Sequence, residues 1–311
     1  MKPVLFASQR NFDRAENIKA VYNAYQGPKQ FTRLNLMRYS TNIDYRNYDL
    51  MVTDEMPSCT PGKCIMIGHG ANGLKKFGFD QPLPYVHHDE RGLITKAVCA
   101  SESVRELTAK AYGIDVDDVL PLGMPRTDAL INNKQTTDTH KRVYLFAPTY
   151  RTAEEMTGTI TDWRFIDGQL TDDETIIYKP HMLTGEVVAC GLEHIVTASP
   201  NVPSEDYIRD CTVLVTDYSS IMFDAMLAGK PVVLFAKDAE HYRQNRGFYF
   251  DYPSTYCSRR CDNERDLLTL LRQADTMGEA DTEVRGFFVG ACDGHSTDRV
   301  VELIEVMNRG A

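Results

Sequence analysis

Two consecutive serines, Ser219 and Ser220, lie where hydroxyl groups could bind a phosphate. The apolar run that ends at Thr216 is typical of a buried strand, and the residues after Ser220 show the apolar spacing of a helix. Gly229 then ends the helix, and a second apolar run follows. Segment 213–235 therefore predicts a strand–helix–strand unit. The first amides of its helix would lie at the carboxyl edge of a parallel sheet, where they and the serines would hold a phosphate group.

A histidine between two glycines, His69, follows the apolar run 64–67. This is the carboxyl end of a predicted parallel strand, where open α/β sheets bind their ligands, and the glycines let a substrate come close to the backbone. A neutral imidazole can take a proton from an attacking hydroxyl group. His69 is therefore a candidate general base. The alternative is a turn histidine that hydrogen-bonds only within its own loop.

Further cationic side chains follow predicted strands. Lys179 and His181 come directly after the strand pattern 175–178, and such groups suit a pyrophosphate because charge-assisted hydrogen bonds to phosphate are strong. The alternative is a structural turn in which His181 satisfies a backbone carbonyl. Arg126 and Arg151 follow strand patterns in proline-containing loops. Either arginine could bind phosphate or pair with an acidic neighbour.

Segment 238–252 combines arginines with aromatic residues. This composition suits a groove for a nucleoside or an anionic acceptor, and it also suits a seam between packed domains. We assign the aromatic residues to the seam and Arg243 or Arg246 to the ligand.

These candidate residues require a framework of strands and helices. Strand and helix patterns alternate through both halves of the chain, which predicts parallel α/β sheets. The expected strands are 4–7, 50–53, 64–67, 95–100 and 119–122, followed by 143–147, 175–178, 195–198, 212–216 and 232–235.

Capping and loop signals indicate where helices and domains begin and end. Ser103 and Glu106 predict a capping box for one helix, and Ser296 is the expected N-cap of the last helix. The polar stretch 131–141 lacks periodicity and suits a crossing between domains. We therefore predict an acceptor-side domain at 1–138 and a donor-binding domain at 139–311, with the last helix able to pack back on the first domain.

Composition narrows the class of protein. With 311 residues, of which 42% are hydrophobic, the chain can bury two cores. Its 44 acidic and 34 basic residues give a formal net charge of −10, which argues against general affinity for nucleic acid or anionic lipid. No apolar run approaches the roughly 18–20 residues of a spanning helix, and no signal-peptide pattern begins the chain. The expected location is cytoplasmic.

Taken together, these segments resemble the CDP-glycerol glycerophosphotransferase family, which includes teichoic acid primases and polymerases and related capsule enzymes. Segment 216–224 followed by segment 246–252 is the most specific part of the resemblance. The other segments are individually weaker: 146–151, 229–231, 123–126 with Asp128, and Asp293 with Arg299.

The resemblance implies a GT-B architecture, in which two Rossmann-like domains face each other across a cleft and the second domain holds the donor. It implies that His69 and His181 correspond to the family's two catalytic histidines. The loop after His69 departs from the family pattern because it lacks Thr-Pro and is one residue longer, and Met182 replaces a proline. The expected donor-binding residues are Arg126, Arg151, Lys179, Asp217, Ser219, Ser220 and Arg246.

The implied activity is transfer of a polyol-phosphate, with glycerol-phosphate as the expected group, from a CDP-activated donor to a hydroxyl of a glycan or lipid-linked acceptor, with release of CMP. No metal site is predicted and no cofactor is expected to be obligatory, although Asp217 and Asp224 could ligate Mg²⁺. The expected partners exclude nucleic acid and include peripheral contact with the cytoplasmic face of the membrane through the acceptor. Two alternatives stay open: a GT-B sugar-nucleotide glycosyltransferase or epimerase, and a non-catalytic donor-binding paralogue.

Overall fold

The computed structural model describes residues 2–80, 92–133, 141–149, 161–180, 191–199, 202–273 and 282–309. The chain forms two compact units. The first contains Met1–Asn132 together with Gly286–Ala311, and the second contains Asn133–Arg285. Among the described residues, no helix combines the length and the apolar character that crossing a bilayer requires.

The first unit is built on a six-stranded sheet. Its strands are β1 (Val4–Ser8), β2 (Lys29–Arg33), β3 (Leu50–Thr53), β4 (Lys63–Met66), β5 (Lys96–Val98) and β6 (Val119–Leu120). The α-helices described in this unit, besides the two C-terminal ones, are α1 (Glu16–Ala24), α2 (Arg105–Tyr112) and α3 (Asp128–Asn132). Every residue of β1 and β3 is buried, as expected for parallel strands covered on both faces.

The second unit repeats this plan. Its strands are β7 (Arg142–Phe146), β8 (Glu174–Tyr178), β9 (Ile195–Thr197), β10 (Val213–Thr216), β11 (Val232–Phe235) and β12 (Arg260–Cys261). The described helices are α4 (Trp163–Asp167), α5 (Ser204–Asp210), α6 (Ile221–Leu227), α7 (Ala239–Asn245) and α8 (Glu264–Arg272), and α9 (Thr282–Val289) crosses from this unit to the first. The predicted strand–helix–strand unit is confirmed as β10, α6 and β11, and β10 pairs in parallel with β11.

The strands within each sheet are parallel. In each sheet the chain first adds strands on one side of its first strand and then adds strands on the other side. The orders are β2-β1-β3-β4-β5-β6 and β12-β11-β10-β7-β8-β9. The winding therefore reverses between β1 and β3 in the first unit and between β7 and β10 in the second. Ligands of open α/β sheets bind beyond the carboxyl ends of strands at such reversals. The loops after these four strands are thus the places where each unit can build a site.

The chain returns to the first unit at its C-terminal end. Helix α10 (Ser296–Arg309) packs on the core of that unit, where Val300 and Ile304 are fully buried with Val4 and Ile18. The sequence prediction assigned 139–311 to the second domain and allowed the last helix to pack back. In the structure residues 286–311 belong to the first unit.

The capping predictions were wrong in detail. Ser101, not Ser103, caps the turn before α2, because its hydroxyl accepts the Ser103 amide at 3.2 Å. Ser296 begins α10 instead of preceding it, and the first two amides of the helix donate to the Asp128 carboxylate at 3.0 and 2.7 Å. The Asp128 carboxylate of α3 therefore caps α10, where the sequence predicted that Ser296 would be the cap.

Candidate functional site

The loop after β4 buries side chains near His69 and leaves the His69 side chain exposed to solvent. Gly68 has φ of +61°, which turns the chain sharply after the strand. Ala71 and Leu74 are buried, whereas 51% of the His69 side chain is exposed. The Asn17 side chain donates to the Gly68 carbonyl at 3.0 Å and fixes the loop from helix α1. His69 is therefore an exposed imidazole on an anchored backbone at the carboxyl edge of the sheet.

One nitrogen of the His69 ring faces acceptors from the loop after β3. Nδ1 lies 3.4 Å from the Asp54 carbonyl oxygen and 3.6 Å from Glu55 Oε1. A carbonyl oxygen can only accept, so these neighbours favour the tautomer that carries its proton on Nδ1. Nε2 is then left with its lone pair. This is the arrangement that a general base requires.

Electrostatics keep the His69 ring neutral. Desolvation, assisted by the positive charge of Arg10, lowers the pKa of His69 below its ordinary value of 6.5, and the Asp54 carboxylate acts against that shift. Burial raises the pKa of Asp54, and the charge of Glu55 raises it further. Burial also raises the pKa of Glu55, against the charges of Arg10 and Arg38. The pKa values of His69, Asp54 and Glu55 are therefore set by burial together with the charges of their neighbours.

Arg126, predicted to bind the donor, lies in the first unit and near His69. Its backbone amide donates to Asn17 Oδ1 at 2.9 Å, so one asparagine ties the Arg126 loop to the His69 loop. Its guanidinium Nη1 is 3.2 Å from Glu16 Oε2, and 9% of its side chain is exposed. The positive charge of Arg126 contributes to the lowered pKa of His69. Arg126 is thus close enough to His69 for its charge to act on the imidazole, and a donor contact stays a prediction.

In the second unit, Asp217 organises the β7/β10 reversal. Its buried carboxylate accepts the Thr149 amide at 2.8 Å and the Tyr218 amide at 2.5 Å. The Thr216 hydroxyl donates to the Ala147 carbonyl at 2.6 Å in the same region. These bonds hold together the loops that follow the two strands. Direct contact between Asp217 and a donor stays a prediction.

The predicted phosphate ligands of the second unit lie at this edge. Ser219 and Ser220 precede α6, and both are partly exposed. The Ser219 hydroxyl faces the Ile221 amide at 3.5 Å, whereas the Ser220 side chain makes no capping bond to the helix. Lys179 directly follows β8, which pairs with β7, and is partly exposed as well. All three side chains can therefore reach solvent at the carboxyl ends of β10 and β8, the two strands that flank β7.

The aromatic residues of segment 238–252 pack on the loop that carries the serines. Tyr218 stacks on Tyr242 with ring centroids 4.0 Å apart, and Phe248 stacks on Tyr252 at 4.6 Å. The Tyr218 hydroxyl donates to Asp238 at 2.7 Å. This cluster supports the residues before α6 within the second unit, where the sequence predicted a seam between domains.

The two arginines of this segment differ in their surroundings. Arg243 donates to the Tyr252 carbonyl at 2.7 Å and to Asp251 at 3.3 Å, so it ties α7 to the following loop. Arg246 comes directly after α7 and is partly exposed. The donor contact of Arg246 stays a prediction.

Two predicted site residues, His181 and Arg151, lie outside the described residues. Within the described part of the chain, no group of His, Cys, Asp and Glu side chains could hold a metal ion. Asp224, the second residue considered for Mg²⁺, is buried in α6.

Comparison with protein families settles the classification. Residues 30–306 match the model of the family described as CDP-Glycerol:Poly(glycerophosphate) glycerophosphotransferase. The chain belongs to this family. The family resemblance deduced from the sequence is thereby confirmed.

Curated relatives have related names at low identity. The chain is 24% identical over 277 residues to the teichoic acid poly(ribitol-phosphate) polymerase of Bacillus spizizenii, covering 77% of this chain and 42% of that protein. It is 23% identical over 271 residues to the teichoic acid glycerol-phosphate primase of Bacillus subtilis, covering 81% and 70%. The chain thus spans less than half the length of that polymerase.

Solved structures confirm the fold. The wall teichoic acid polymerase TagF superposes with a TM-score of 0.80 at 20% identity, covering 99% of this chain and 90% of that one. A UDP-GlcNAc 2-epimerase from Neisseria meningitidis gives a TM-score of 0.64 at 12% identity. The predicted α/β, GT-B class of paired Rossmann-like units is confirmed. At these identities the likeness establishes the fold and nothing about the substrate.

Several residues of the family resemblance have structural roles. Asp128 caps α10, and Arg299 donates to Asp293 and to the Leu122 carbonyl. Gly123 has φ of +82°, and a Cβ there would lie 2.3 Å from Ser296 Oγ. These residues attach the C-terminal helix to the first unit. A motif shared with a family therefore need not mark a substrate contact.

Sequence reasoning missed the acidic residues beside the base. Asp54 and Glu55 directly follow the apolar strand β3. Their loop becomes a candidate for a site only once the strand order shows that the winding reverses between β1 and β3. The available signal was a pair of carboxylates at the end of a fully apolar strand. Asn17 gave no signal, because it lies within a helix.

Proposed function

We propose that this protein transfers a polyol-phosphate, with glycerol-phosphate as the expected group, from a CDP-activated donor to a hydroxyl of a glycan or lipid-linked acceptor. The observation that carries the proposal is the exposed His69 ring, whose Nδ1 faces the Asp54 carbonyl and Glu55. Membership of the family supports the donor class. The names of the curated relatives, which include glycerol-phosphate and ribitol-phosphate enzymes, support a polyol-phosphate as the group transferred.

In the proposed reaction His69 Nε2 takes the proton of the acceptor hydroxyl. The acceptor oxygen forms a bond to the phosphorus that carries the polyol, and the bond from this phosphorus to the CMP oxygen breaks. The electron pair of the broken bond leaves with CMP. Glu55 stabilises the imidazolium that forms, because its carboxylate faces the protonated Nδ1. Positioning and charge stabilisation supply most of the rate, as in phosphoryl transfer generally.

The second unit is proposed to hold the donor. Ser219, Ser220 and Lys179 lie at the carboxyl ends of β10 and β8, on either side of β7, and can hydrogen-bond to pyrophosphate oxygens. His181, Arg151, Arg246 and Asp217 are the other predicted donor and catalytic residues of this unit, and Arg126 of the first unit is a further predicted donor residue. We further propose that no metal is obligatory, and that turnover therefore survives exhaustive treatment with a chelator.

The direct test is CMP release. Purified protein is incubated with CDP-glycerol and a glycan or lipid-linked acceptor, and CMP and the extended acceptor are quantified by mass spectrometry. His69→Ala should lower kcat by about 10²–10⁴-fold, the usual contribution of a general base. The matched control is His295→Ala, which alters an exposed histidine of the same unit.

The alternatives give different products. Release of UDP from a UDP-sugar in place of CMP would show a sugar-nucleotide enzyme on the same fold. Donor binding without turnover by the unmutated protein would show a non-catalytic paralogue. A panel of CDP-polyols would identify the polyol. The proposed location is the cytoplasmic face of the membrane, which the protein reaches through a lipid-linked acceptor.

A further inference from the structure

The carboxylate of Asp54 is buried without a hydrogen-bond partner. Asp54 directly follows β3 at the reversal of winding and is 2% exposed. Neither of its side-chain oxygens has a hydrogen-bond partner among the residues that the structure describes. An unpaired buried polar group destabilises the folded state, and an unpaired buried charge does so more strongly. Such a group beside the candidate base requires an explanation.

The position of Asp54 beside the base is fixed by the ends of two strands. The Thr53 hydroxyl donates to the Glu55 carbonyl at 2.9 Å and accepts the Glu55 amide at 3.2 Å, so Asp54 lies inside a short turn held by Thr53. The Ile67 amide donates to the Thr53 carbonyl at 2.8 Å and holds the end of β4 against this turn. The Asp54 carbonyl oxygen is 3.4 Å from His69 Nδ1. The backbone therefore keeps Asp54 and the imidazole together.

The charges of Asp54 and His69 act on each other. Burial raises the pKa of Asp54 above its ordinary value, and the charge of Glu55 raises it further. The charges of His69 and Arg10 lower the pKa of Asp54, as does the neighbouring Ser8 hydroxyl. Desolvation and the charge of Arg10 lower the pKa of His69, whereas the Asp54 carboxylate raises it. A charged ring therefore favours the ionised carboxylate, and the carboxylate favours the charged ring.

Other elements place further charged and titratable groups around this pair. The charge of Arg126, in the loop before α3, also lowers the pKa of the imidazole, and the charge of Arg38 acts on the second carboxylate of the turn. Burial raises the pKa of Tyr112 on α2, and the Asp54 carboxylate contributes to that shift, so the phenol stays neutral. Of the charged groups that act on Asp54, only His69 changes its charge in the proposed reaction.

This change of charge gives the unpaired carboxylate a use. In the resting protein the His69 ring is neutral and does not compensate the charge of Asp54. When Nε2 takes the acceptor proton, the ring becomes an imidazolium and attracts the carboxylate. An interaction that is stronger in the transition state than in the ground state lowers the barrier, whereas one that is equal in both does not. A carboxylate already paired with a donor would gain less from the new charge.

We propose that Asp54 is a positioning residue that acts through His69, because its unpaired carboxylate stabilises the imidazolium that forms when the ring takes the proton of the acceptor hydroxyl. The proton stays on Nε2, and the electron pair of the O–H bond remains with the acceptor oxygen, so Asp54 exchanges no proton. Glu55 acts on the same ring from a side chain that is 25% exposed, whereas Asp54 acts from a buried position where charge is less screened. The inference rests on the proposed function for the source of the proton.

The first test measures the titration of His69 without donor or acceptor. The Cε1 proton of the ring is followed by NMR and assigned by its loss in His69→Ala. In Asp54→Asn the ring should titrate at lower pH than in the unmutated protein, because a charge that raises its pKa is removed. Simple loosening of the loop would move the pKa the other way, toward the ordinary value of 6.5, because the ring would gain water. The matched control Asp118→Asn, which removes a carboxylate paired with Lys96 at 2.7 Å in the same unit, should leave the titration unchanged.

The second test measures CMP release across pH. At alkaline pH Asp54→Asn should lower kcat by about tenfold, the factor that corresponds to one pKa unit, with KM for the donor unchanged. The ratio of the two kcat values should fall toward one as pH falls through the raised pKa of Asp54, because the protonated carboxyl carries no charge in the unmutated protein either. The free energy of unfolding at alkaline pH should not decrease, since the substitution removes an unpaired buried charge.

Several results would overturn this role of Asp54. They are an unchanged or higher pKa of His69 in Asp54→Asn, an unchanged kcat, or a ratio of kcat values that is independent of pH. Should the asparagine variant not fold, Asp54→Ala removes the charge without adding a buried amide and gives the same measurements. Failure of both variants to fold would show that the carboxylate supports the fold and would reject the proposal. The expected shift in the titration without CMP release by the unmutated protein would reject the proposed function and leave the coupling of the two groups standing.

Discussion

At the scale of single residues, the charge of His69 decides whether it can act as a base. The base works when deprotonated, and desolvation with the charge of Arg10 lowers its pKa. The deprotonated form therefore persists to lower pH, and activity is lost only as pH falls through the lowered pKa. We expect the acidic limb of the kcat/KM profile to lie below pH 6.5, the ordinary value for histidine. An acidic limb at or above that value would contradict the electrostatic assignment.

Glu55 should support the base through charge. Its carboxylate lies 3.6 Å from His69 Nδ1 and is 25% exposed, so the pair is partly screened. Glu55→Gln keeps the shape and removes the charge. A loss of about 1 kcal/mol, typical of a screened pair, lowers kcat roughly fivefold with KM for the donor unchanged. Steady-state kinetics measure both constants.

The matched control for Glu55→Gln is Glu305→Gln. Glu305 lies in the same unit and pairs with Arg309 at 2.9 Å on the surface of α10. This variant should leave kcat unchanged. If Glu55→Gln altered KM for the donor and spared kcat, Glu55 would be a binding residue and its assigned role would be wrong.

Ser220 should bind the donor without supporting the fold. Its side chain makes no capping bond to α6, whereas Ser219 faces the Ile221 amide. Since a hydrogen bond to a charged group contributes about 1.5–3 kcal/mol, Ser220→Ala should raise KM for the donor by about 10- to 150-fold. Ser204→Ala, at the start of another short helix of the same unit, serves as the control. An unchanged KM would remove Ser220 from the donor site.

At the scale of elements, the link between α3 and α10 depends on one carboxylate. Asp128 accepts two amides at the start of α10. Asp128→Ala should lower the free energy of unfolding by about 1–2 kcal/mol, the usual cost of losing a helix cap. Asp298→Ala removes an exposed carboxylate from the first turn of the same helix and should cost less. Urea denaturation measures both. Equal losses would show that Asp128 acts only through its general charge.

The sequence predicted the fully buried strands, together with the edge strands β6 and β9, and missed the edge strands β2 and β12. Every residue of β3, β10 and β11 is buried, and their apolar runs were sufficient to predict them. The edge strand β2 has the sequence Lys-Gln-Phe-Thr-Arg and was missed, because an edge strand needs no apolar run. The other edge strand missed, β12, has two residues.

At the candidate site, the sequence predicted residues that a local pattern reveals and missed those that the strand order brings together. His69 was predictable because glycines around a histidine at a strand end are a local signal. Its neighbours Asp54 and Arg10 come from other loops, and only the strand order brings those loops together. The exposure of Leu36 and Met37 was not predicted, since the sequence does not show which apolar residues lie at the surface.

At the scale of the whole molecule, the first unit is discontinuous in sequence and is completed by the C-terminal helix. Val300 and Ile304 of α10 are fully buried in the core of this unit. The Lys63 ammonium donates to the Met307 carbonyl at 3.0 Å. The first unit therefore needs residues that follow the second unit in the sequence. A chain that ends at residue 285 should retain the second sheet and lose the folded state of the first.

The magnitude follows from the buried surface. Burying a valine or isoleucine side chain contributes about 1.5–3 kcal/mol each, and the Asp128 cap and the Arg299 bonds are lost with α10 as well. This sum is comparable with the total stability of a domain, about 5–15 kcal/mol. Limited proteolysis of the shortened chain should therefore cleave within residues 2–132 and spare the second unit, whereas a chain ending at residue 309 should resist throughout. Protection of both units in the shortened chain would show that α10 is dispensable and that the two units do not divide the chain as the contacts indicate.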